Sequence, residues 1–254
     1  MQEIGFDIGK NIRETARIST AAGFTVQNVD GLIMYDAEGL SSDILARYKR
    51  PGYEISISPI FSFSMYADER TKDGLAVQTA ALQASTRAIK SHEVAQEFVK
   101  TLVMQFRKGR WTRYLDNLCP AVTGRSSILN EDGEVAQMGA CALDPEYNLS
   151  LEEWKKLMMS TQNYKWIGDG VLAKLTVGYN DFGRGLNYSI DLDFEDFELK
   201  KRRDEIEKTR RMVEGDQKGW KSTEKYLKQI AATKAKIAVL ENNAVKRGDK
   251  LIPR

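Results

Sequence analysis

Two neighbouring stretches of alternating residues constrain the fold of this chain more than any other feature of its sequence. Apolar side chains occupy every second position from Val171 to Tyr179, and again from Leu186 to Phe194. Successive side chains of a strand point to opposite faces, so a period of two predicts a pair of half-buried antiparallel strands. The two apolar sets match in phase, which predicts that both strands pack against one core.

A third alternating stretch, residues 53–66, has apolar side chains on one face and serines on the other. This pattern again predicts a half-buried antiparallel strand. Pro59 lies within it and supplies no backbone donor, so we expect the strand to lie at a sheet edge or to be bulged there. The serine face is expected to be wetted or to lie beneath a helix.

Helix signals separate these strands. Ser91 has the character of an N-cap, and apolar residues follow it at helical spacing up to Phe106. Ser150 and Glu153 form the pattern of a capping box, which predicts a second helix. Residues 40–48 are expected to form a helical turn.

After residue 198 the period changes from two to seven. The apolar residues of the first phase are Leu199, Ile206, Val213, Trp220 and Leu227, and those of a second phase are Ile230, Ile237 and Ala244. A seven-residue repeat predicts coiled-coil-like packing, with Trp220 and Tyr226 in the apolar seam and not in a base-stacking surface. Gly215 and Gly219 favour a helical hairpin or a kinked helix over one long helix.

Together these elements predict an α+β protein, in which antiparallel sheet packs with helices and a C-terminal helical, coiled-coil-like extension follows. We expect a globular body at residues 1–197, with a subdivision near 1–110 and 111–197, and a basic helical extension at 198–254. The charges divide at the same place. The extension holds 17 Lys and Arg against 9 Asp and Glu, whereas the remainder of the chain carries a net charge of −6.

The two cysteines, Cys119 and Cys141, both lie in a stretch rich in turn-forming residues. Their spacing excludes a CxxC metal or redox motif. An even count in one loop system predicts a disulfide formed in an oxidising compartment, and two reduced thiols are the alternative. The start of the sequence has no signal-peptide pattern, so we expect either a cytosolic protein or a chain without its leader.

The sequence presents no catalytic constellation. His92, the single histidine, falls in the first turn of a predicted helix, where a surface or capping role is expected. The nucleophile elbow, the P-loop and the dinucleotide-binding glycine motif are all missing from the sequence. We therefore expect a non-enzymatic protein with no catalytic residues, no cofactor and no metal site.

The densest group of charged residues precedes the basic extension. Asp191, Asp193 and Glu195 share one face of a predicted strand, in steps of about 7 Å. Three carboxylates in line could bind a hard cation with ligands from elsewhere, contact the basic extension, or remain solvated. This acidic face is our candidate surface for contact with another protein.

Several segments resemble poorly characterised envelope lipoproteins of Gram-negative bacteria. They are residues 105–111 (QFRKGRW), 119–127 (CPAVTGRSS), 143–147 (LDPEY) and 152–154 (EEW), and the similarity extends through the hairpin at 169–194. The resemblance implies a protein of the periplasm or cell envelope, similar to immunity partners of secreted antibacterial effectors, including lipase effectors of type VI secretion systems. It also implies a lipid anchor, the only membrane contact expected, whose cysteine this sequence does not contain.

The expected function is therefore that of a periplasmic protein-binding protein, an immunity protein that neutralises a secreted toxin. The alternative is a cytosolic protein that binds nucleic acid or an anionic surface through its basic C-terminal helices. Nucleic acid is the less favoured partner, because acidic residues within the extension dilute its positive field.

Overall fold

The computed structural model describes residues 2–20, 23–72, 74–136, 141–181 and 186–253. Within these residues the chain has the α+β fold that the sequence predicts, with a large antiparallel sheet, helices and a helical C-terminus. Its contacts divide the chain into two compact units. Unit 1 comprises Met1–Tyr114 and Leu149–Asp196, and unit 2 comprises Leu115–Asn148 and Phe197–Arg254.

Unit 1 contains the β-structure. Its strands, in chain order, are β1 (Gln2–Phe6), β2 (Thr25–Val29), β3 (Leu32–Ala37), β4 (Ile44–Tyr48), β5 (Ile55–Ile57), β6 (Ile60–Asp68), β7 (Thr79–Ala84), β8 (Thr112–Arg113), β9 (Gln162–Gly168), β10 (Val171–Asp181) and β11 (Leu186–Asp196). The larger sheet has eight strands in the order β2-β3-β6-β7-β11-β10-β9-β8, and each neighbouring pair is antiparallel. The predicted pairing of residues 171–179 with 186–194 is confirmed, with Val177 opposite Ile190.

The smaller sheet has the order β1-β4-β5, with β1 parallel to β4 and β4 antiparallel to β5. The helical turn predicted at residues 40–48 is wrong, because long-range pairing with β1 holds most of this segment as strand β4. The single strand predicted at 53–66 is also wrong. The segment is divided at Ser58–Pro59, a cis bond, and β5 lies at the edge of the small sheet while β6 lies within the large one. The edge or bulge expected at Pro59 is confirmed, since β5 is an edge strand and the pairing of β6 shifts register between Ile60 and Ser62.

The helices of unit 1 are α1 (Ile12–Ile18), α2 (His92–Lys108) and α3 (Leu151–Met158). The Ser91 hydroxyl accepts a hydrogen bond from the Val94 amide, which confirms the predicted N-cap of α2. The capping box of Ser150 and Glu153 is also present at the start of α3. Local sequence therefore determines where these helices begin.

The core of unit 1 lies on one face of the large sheet. Facing residues on five neighbouring strands are almost fully buried: Met65, Ala80, Phe194, Ala173 and Trp166. Phe6 and Tyr48 of the small sheet pack against Phe194, with ring centroids 5.4 and 4.6 Å away. Phe106 of α2 stacks on Trp166 at 3.9 Å. The small sheet and α2 thus cover this face.

Unit 2 contains α4 (Phe197–Gln217) and α5 (Ser222–Arg247), which pack together as the predicted helical hairpin. It also contains a 3₁₀ helix at Gly124–Ile128, in a loop where the sulfur atoms of Cys119 and Cys141 lie at the bonding distance of 2.10 Å. In the part of the chain that the structure describes, no helix is long and apolar enough to cross a bilayer.

The loop of unit 2 is attached to the C-terminal end of the chain by hydrogen bonds. The Ala121 amide donates to Glu241 of α5 at 2.9 Å, and Arg247 donates to the Ser126 hydroxyl. The Ser126 amide donates to Asp249 at 3.0 Å. The contacts thus group residues 115–148 with 197–254, whereas the sequence led us to expect a body through residue 197. The division into a body at 1–197 and an extension at 198–254 stays a prediction.

Candidate functional site

The face of the large sheet opposite its core is polar. One row of directly facing residues runs Ser62, Gln83, Asp191, Thr176 and Asn163 across five strands. The next row runs Ser64, Ala81, Asp193, Lys174 and Lys165. We call these two rows, with Glu195, the polar face. Most of its side chains are partly exposed, in contrast to the buried apolar face behind them.

The three carboxylates predicted from sequence lie together on this polar face, on alternate residues of β11. Asp193 lies directly between Lys174 on β10 and Ala81 on β7, so the lysine is its cross-strand neighbour. Asp191 accepts a hydrogen bond from the Ser189 hydroxyl at 2.6 Å. We call Asp191, Asp193 and Glu195 the acidic row. It combines negative charge with neighbouring groups that can donate and accept hydrogen bonds.

Burial gives Asp193 unusual acid–base behaviour. Loss of solvent around its carboxyl raises its pKa to about 6, although Lys174 acts in the opposite direction. The negative charges of Asp191 and Glu195 raise the same pKa further. Near pH 6 the Asp193 carboxyl thus exchanges a proton, and a cationic group brought close to it would favour its charged form.

The acidic row is not arranged as a metal cage. Its three carboxylates follow one strand at steps of about 7 Å and do not converge on a point. Among the described residues no group of three His, Cys, Asp or Glu side chains could hold a metal ion. What the row offers is an extended contact surface for cationic groups.

His92 occupies a packed position at the start of α2. Its Nδ1 lies 2.7 Å from the Tyr188 hydroxyl, which also accepts a hydrogen bond from Trp154 Nε1 at 2.8 Å. Its ring packs against Tyr179, with centroids 4.8 Å apart. Burial raises the pKa of Tyr188 to about 12, so the phenol stays neutral at physiological pH. The hydrogen bond shown for His92 is thus with a neutral phenol and not with a serine or cysteine nucleophile.

Unit 2 presents a second surface, where the predicted apolar seam is wrong. The first apolar phase was expected to form a seam, but Ile206, Val213, Trp220 and Leu227 are all exposed. Trp220, predicted to be core, is 58% exposed at the turn between α4 and α5. Residues of the second phase are buried instead, as Ile237 and Ala244 show. The two-glycine connection was the available signal, because a tight turn places the residues within it at the end of a hairpin.

Unit 1 also has a cleft of about 460 Å³ beside α1. Phe6 and Ile18 supply apolar walls, and Lys10 and Lys49 lie at its border with Asp7 and Glu14. Lys49 pairs with Glu3 at 2.7 Å, and the acids balance the lysines. The cleft therefore has no dominant charge with which to select a ligand.

No family model, curated protein or solved structure matches this chain. The resemblance to envelope lipoproteins consequently stays a prediction.

Proposed function

We propose that this protein is a non-enzymatic binding protein of the cell envelope, and that its polar face holds a cationic surface of another protein. The partner we propose is a secreted antibacterial effector, which the bound protein neutralises in the manner of an immunity protein. The observation that carries this proposal is the row of carboxylates on a broad, partly exposed sheet face, next to hydrogen-bonding side chains.

The chemistry of the row suits recognition of arginine or lysine side chains. Charge-assisted hydrogen bonds to carboxylates are stronger than neutral ones, and complementary charge accelerates the encounter of two proteins. Asp193 adds a specific advantage, because its carboxylate lacks full solvation in the free protein. A partner's guanidinium or ammonium group would supply the missing interactions, lower that pKa and release the proton held near pH 6.

The envelope location is supported by the cysteine pair of unit 2. The sulfur atoms of Cys119 and Cys141 lie at bonding distance, and disulfides persist mainly in oxidising compartments such as the periplasm. The non-enzymatic character is supported by the position of His92, whose Nδ1 is engaged by the phenol of Tyr188.

A competition experiment in the native host tests the proposal. Cells that lack the gene should be killed by sibling cells that secrete the effector, and the wild-type gene should restore their survival. A D191N/D193N gene should fail to restore it, because both carboxylates that contact the effector are replaced by neutral amides. The purified variant should bind the effector at least about tenfold more weakly than wild type.

Asp30→Asn is the matched control, since it neutralises an exposed carboxylate of the same unit in the turn after β2. This variant should restore survival as the wild type does. The proposal fails if cells without the gene survive contact with their siblings. It also fails if D191N/D193N protects and binds as well as wild type, because the polar face then has no part in recognition.

A further inference from the structure

The turn of the helical hairpin in unit 2 is a defined structure that displays a tryptophan. The Trp220 amide donates to the Gly215 carbonyl at 2.8 Å, and the Gly219 amide donates to the Asp216 carbonyl at 2.9 Å. Gly219 adopts a φ of +75°, in the region that glycine favours. The Asp216 side chain accepts from the Thr223 amide at 3.0 Å and also bonds the Thr223 hydroxyl. The backbone of this tip is thus held by its own hydrogen bonds.

Exposed apolar side chains surround this tip. Trp220 is 58% exposed, with Val213 one turn before the end of α4 and Leu227 in the second turn of α5. We call Val213, Trp220 and Leu227 the apolar tip. Ile206, one heptad before Val213 on α4, is exposed as well. When such apolar groups leave water for an apolar medium, the free energy of the system falls.

The same tip is cationic. Between residues 208 and 228 the chain has seven Lys and Arg against three Asp and Glu. The ammonium group of Lys218 lies 4.9 Å from the centre of the Trp220 ring. Lys221 and Lys225 are exposed and have no ion-pair partner among the described residues. With the charge of Asp216 included, residues 208–228 carry a net charge of +4.

We propose that the apolar tip inserts into the interface of an anionic lipid surface. Tryptophan prefers the headgroup level of a bilayer, where its ring is partly buried and its N–H can still find a hydrogen-bond partner. Valine and leucine reach the acyl boundary, while long lysine side chains extend back to the phosphates. Lys218, Lys221 and Lys225 supply the charge that anionic headgroups attract. The tip carries one exposed indole and several aliphatic groups, which fit a lipid interface better than the bases of a nucleic acid.

Fluorescence of the full-length protein with lipid vesicles tests this inference. Trp111, Trp154 and Trp166 are buried in unit 1, so Trp220 is the tryptophan that a lipid can reach. With phosphatidylcholine vesicles that contain about one third phosphatidylglycerol, we expect a blue shift of the emission and quenching by brominated acyl chains. Pure phosphatidylcholine vesicles should give a much weaker response, and added salt should reduce binding to the anionic ones.

Variants separate the contribution of the lysine charges to vesicle binding from that of the apolar side chains. K221Q/K225Q should weaken binding to the anionic vesicles by roughly an order of magnitude, measured by co-sedimentation. W220A and L227S should each weaken it by a similar factor, because each removes an inserted apolar group. K234Q and V239S are the matched controls, since both residues are exposed on α5 away from the tip, and both variants should bind as wild type. Circular dichroism would show that each variant keeps its helices.

Three results would overturn the inference. One is the absence of a blue shift with anionic vesicles. Another is equal binding of W220A, L227S and wild type. The third is a nucleic acid that binds the tip and displaces it from vesicles, which would identify phosphodiester chains as the partner. The D191N/D193N variant should bind vesicles normally, so failure of the lipid inference and failure of the proposed protein binding are distinguishable.

Discussion

The four tryptophans divide the molecule into two regions that follow different rules. Trp111, Trp154 and Trp166 of unit 1 are at most 7% exposed, whereas Trp220 of unit 2 is mostly exposed. In unit 1 the apolar face of the large sheet meets another apolar layer, since the small sheet and α2 cover it. In the hairpin the first heptad phase meets solvent. An apolar repeat therefore predicts burial only where the fold provides a partner layer.

The largest expected difference between the two units is the loss of stability when a tryptophan of each is replaced by alanine. Trp166→Ala should lower the free energy of unfolding of unit 1 by about 3 to 5 kcal/mol, because it leaves a cavity beside Phe106. Trp220→Ala should change stability by less than about 0.5 kcal/mol, because the ring is already hydrated. Urea unfolding followed by circular dichroism measures both. A cost for Trp220→Ala close to that of Trp166→Ala would show that the tip is packed in solution.

The disulfide loop offers a second way to separate the regions. Replacing Cys119 and Cys141 by serine should destabilise unit 2 by about 3 kcal/mol, because the unfolded loop regains its chain entropy. Hydrogen exchange should then become faster in the last turns of α5, which the loop contacts through Glu241 and Arg247. The amides of β10 and β11 should keep their protection. Equal loss of protection in both units would contradict their division.

Local patterns predicted the parts of the fold that local forces determine. The hairpin of β10 and β11 follows from its period of two, and α2 and α3 begin at the serines that cap them. The acidic row was predicted on one face because alternate residues of a strand must share a face. The bend between α4 and α5 was expected from the two glycines.

The errors arose where distant segments decide the outcome. Strand β4 forms because β1 pairs with it, and no property of residues 40–48 alone announces that partner. The attachment of residues 115–148 to the end of α5 depends on hydrogen bonds such as Ala121 to Glu241, which span 120 positions in the sequence. The raised pKa of Asp193 was equally hidden, because it depends on the strands on either side of β11.

Neutralising Asp193 tests whether its charged carboxylate lowers the free energy of unfolding of the free protein. Its pKa of about 6 in the folded protein lies above the ordinary value of about 4, so the folded state binds the proton more tightly than the unfolded state does. The carboxyl group therefore favours folding below pH 4, and this advantage is lost as the pH rises towards 6. Asp193→Asn removes the charge, so it should raise the free energy of unfolding by about 2 kcal/mol at pH 7 and leave it unchanged at pH 4.

Urea midpoints of wild type, D193N and the control D30N at pH 4, 5, 6 and 7 measure this dependence. D30N should follow the wild type at every pH, since its carboxylate is exposed. A D193N protein that is less stable than wild type at pH 7 would show that the carboxylate already has a stabilising partner within the fold. If D193N is more stable than wild type at pH 7 and also no longer binds the protein partner, the carboxylate destabilises the free protein but is needed for binding. The carboxylate would then be kept for binding at a cost to the free protein, which is the relation expected of a recognition surface and not of a core.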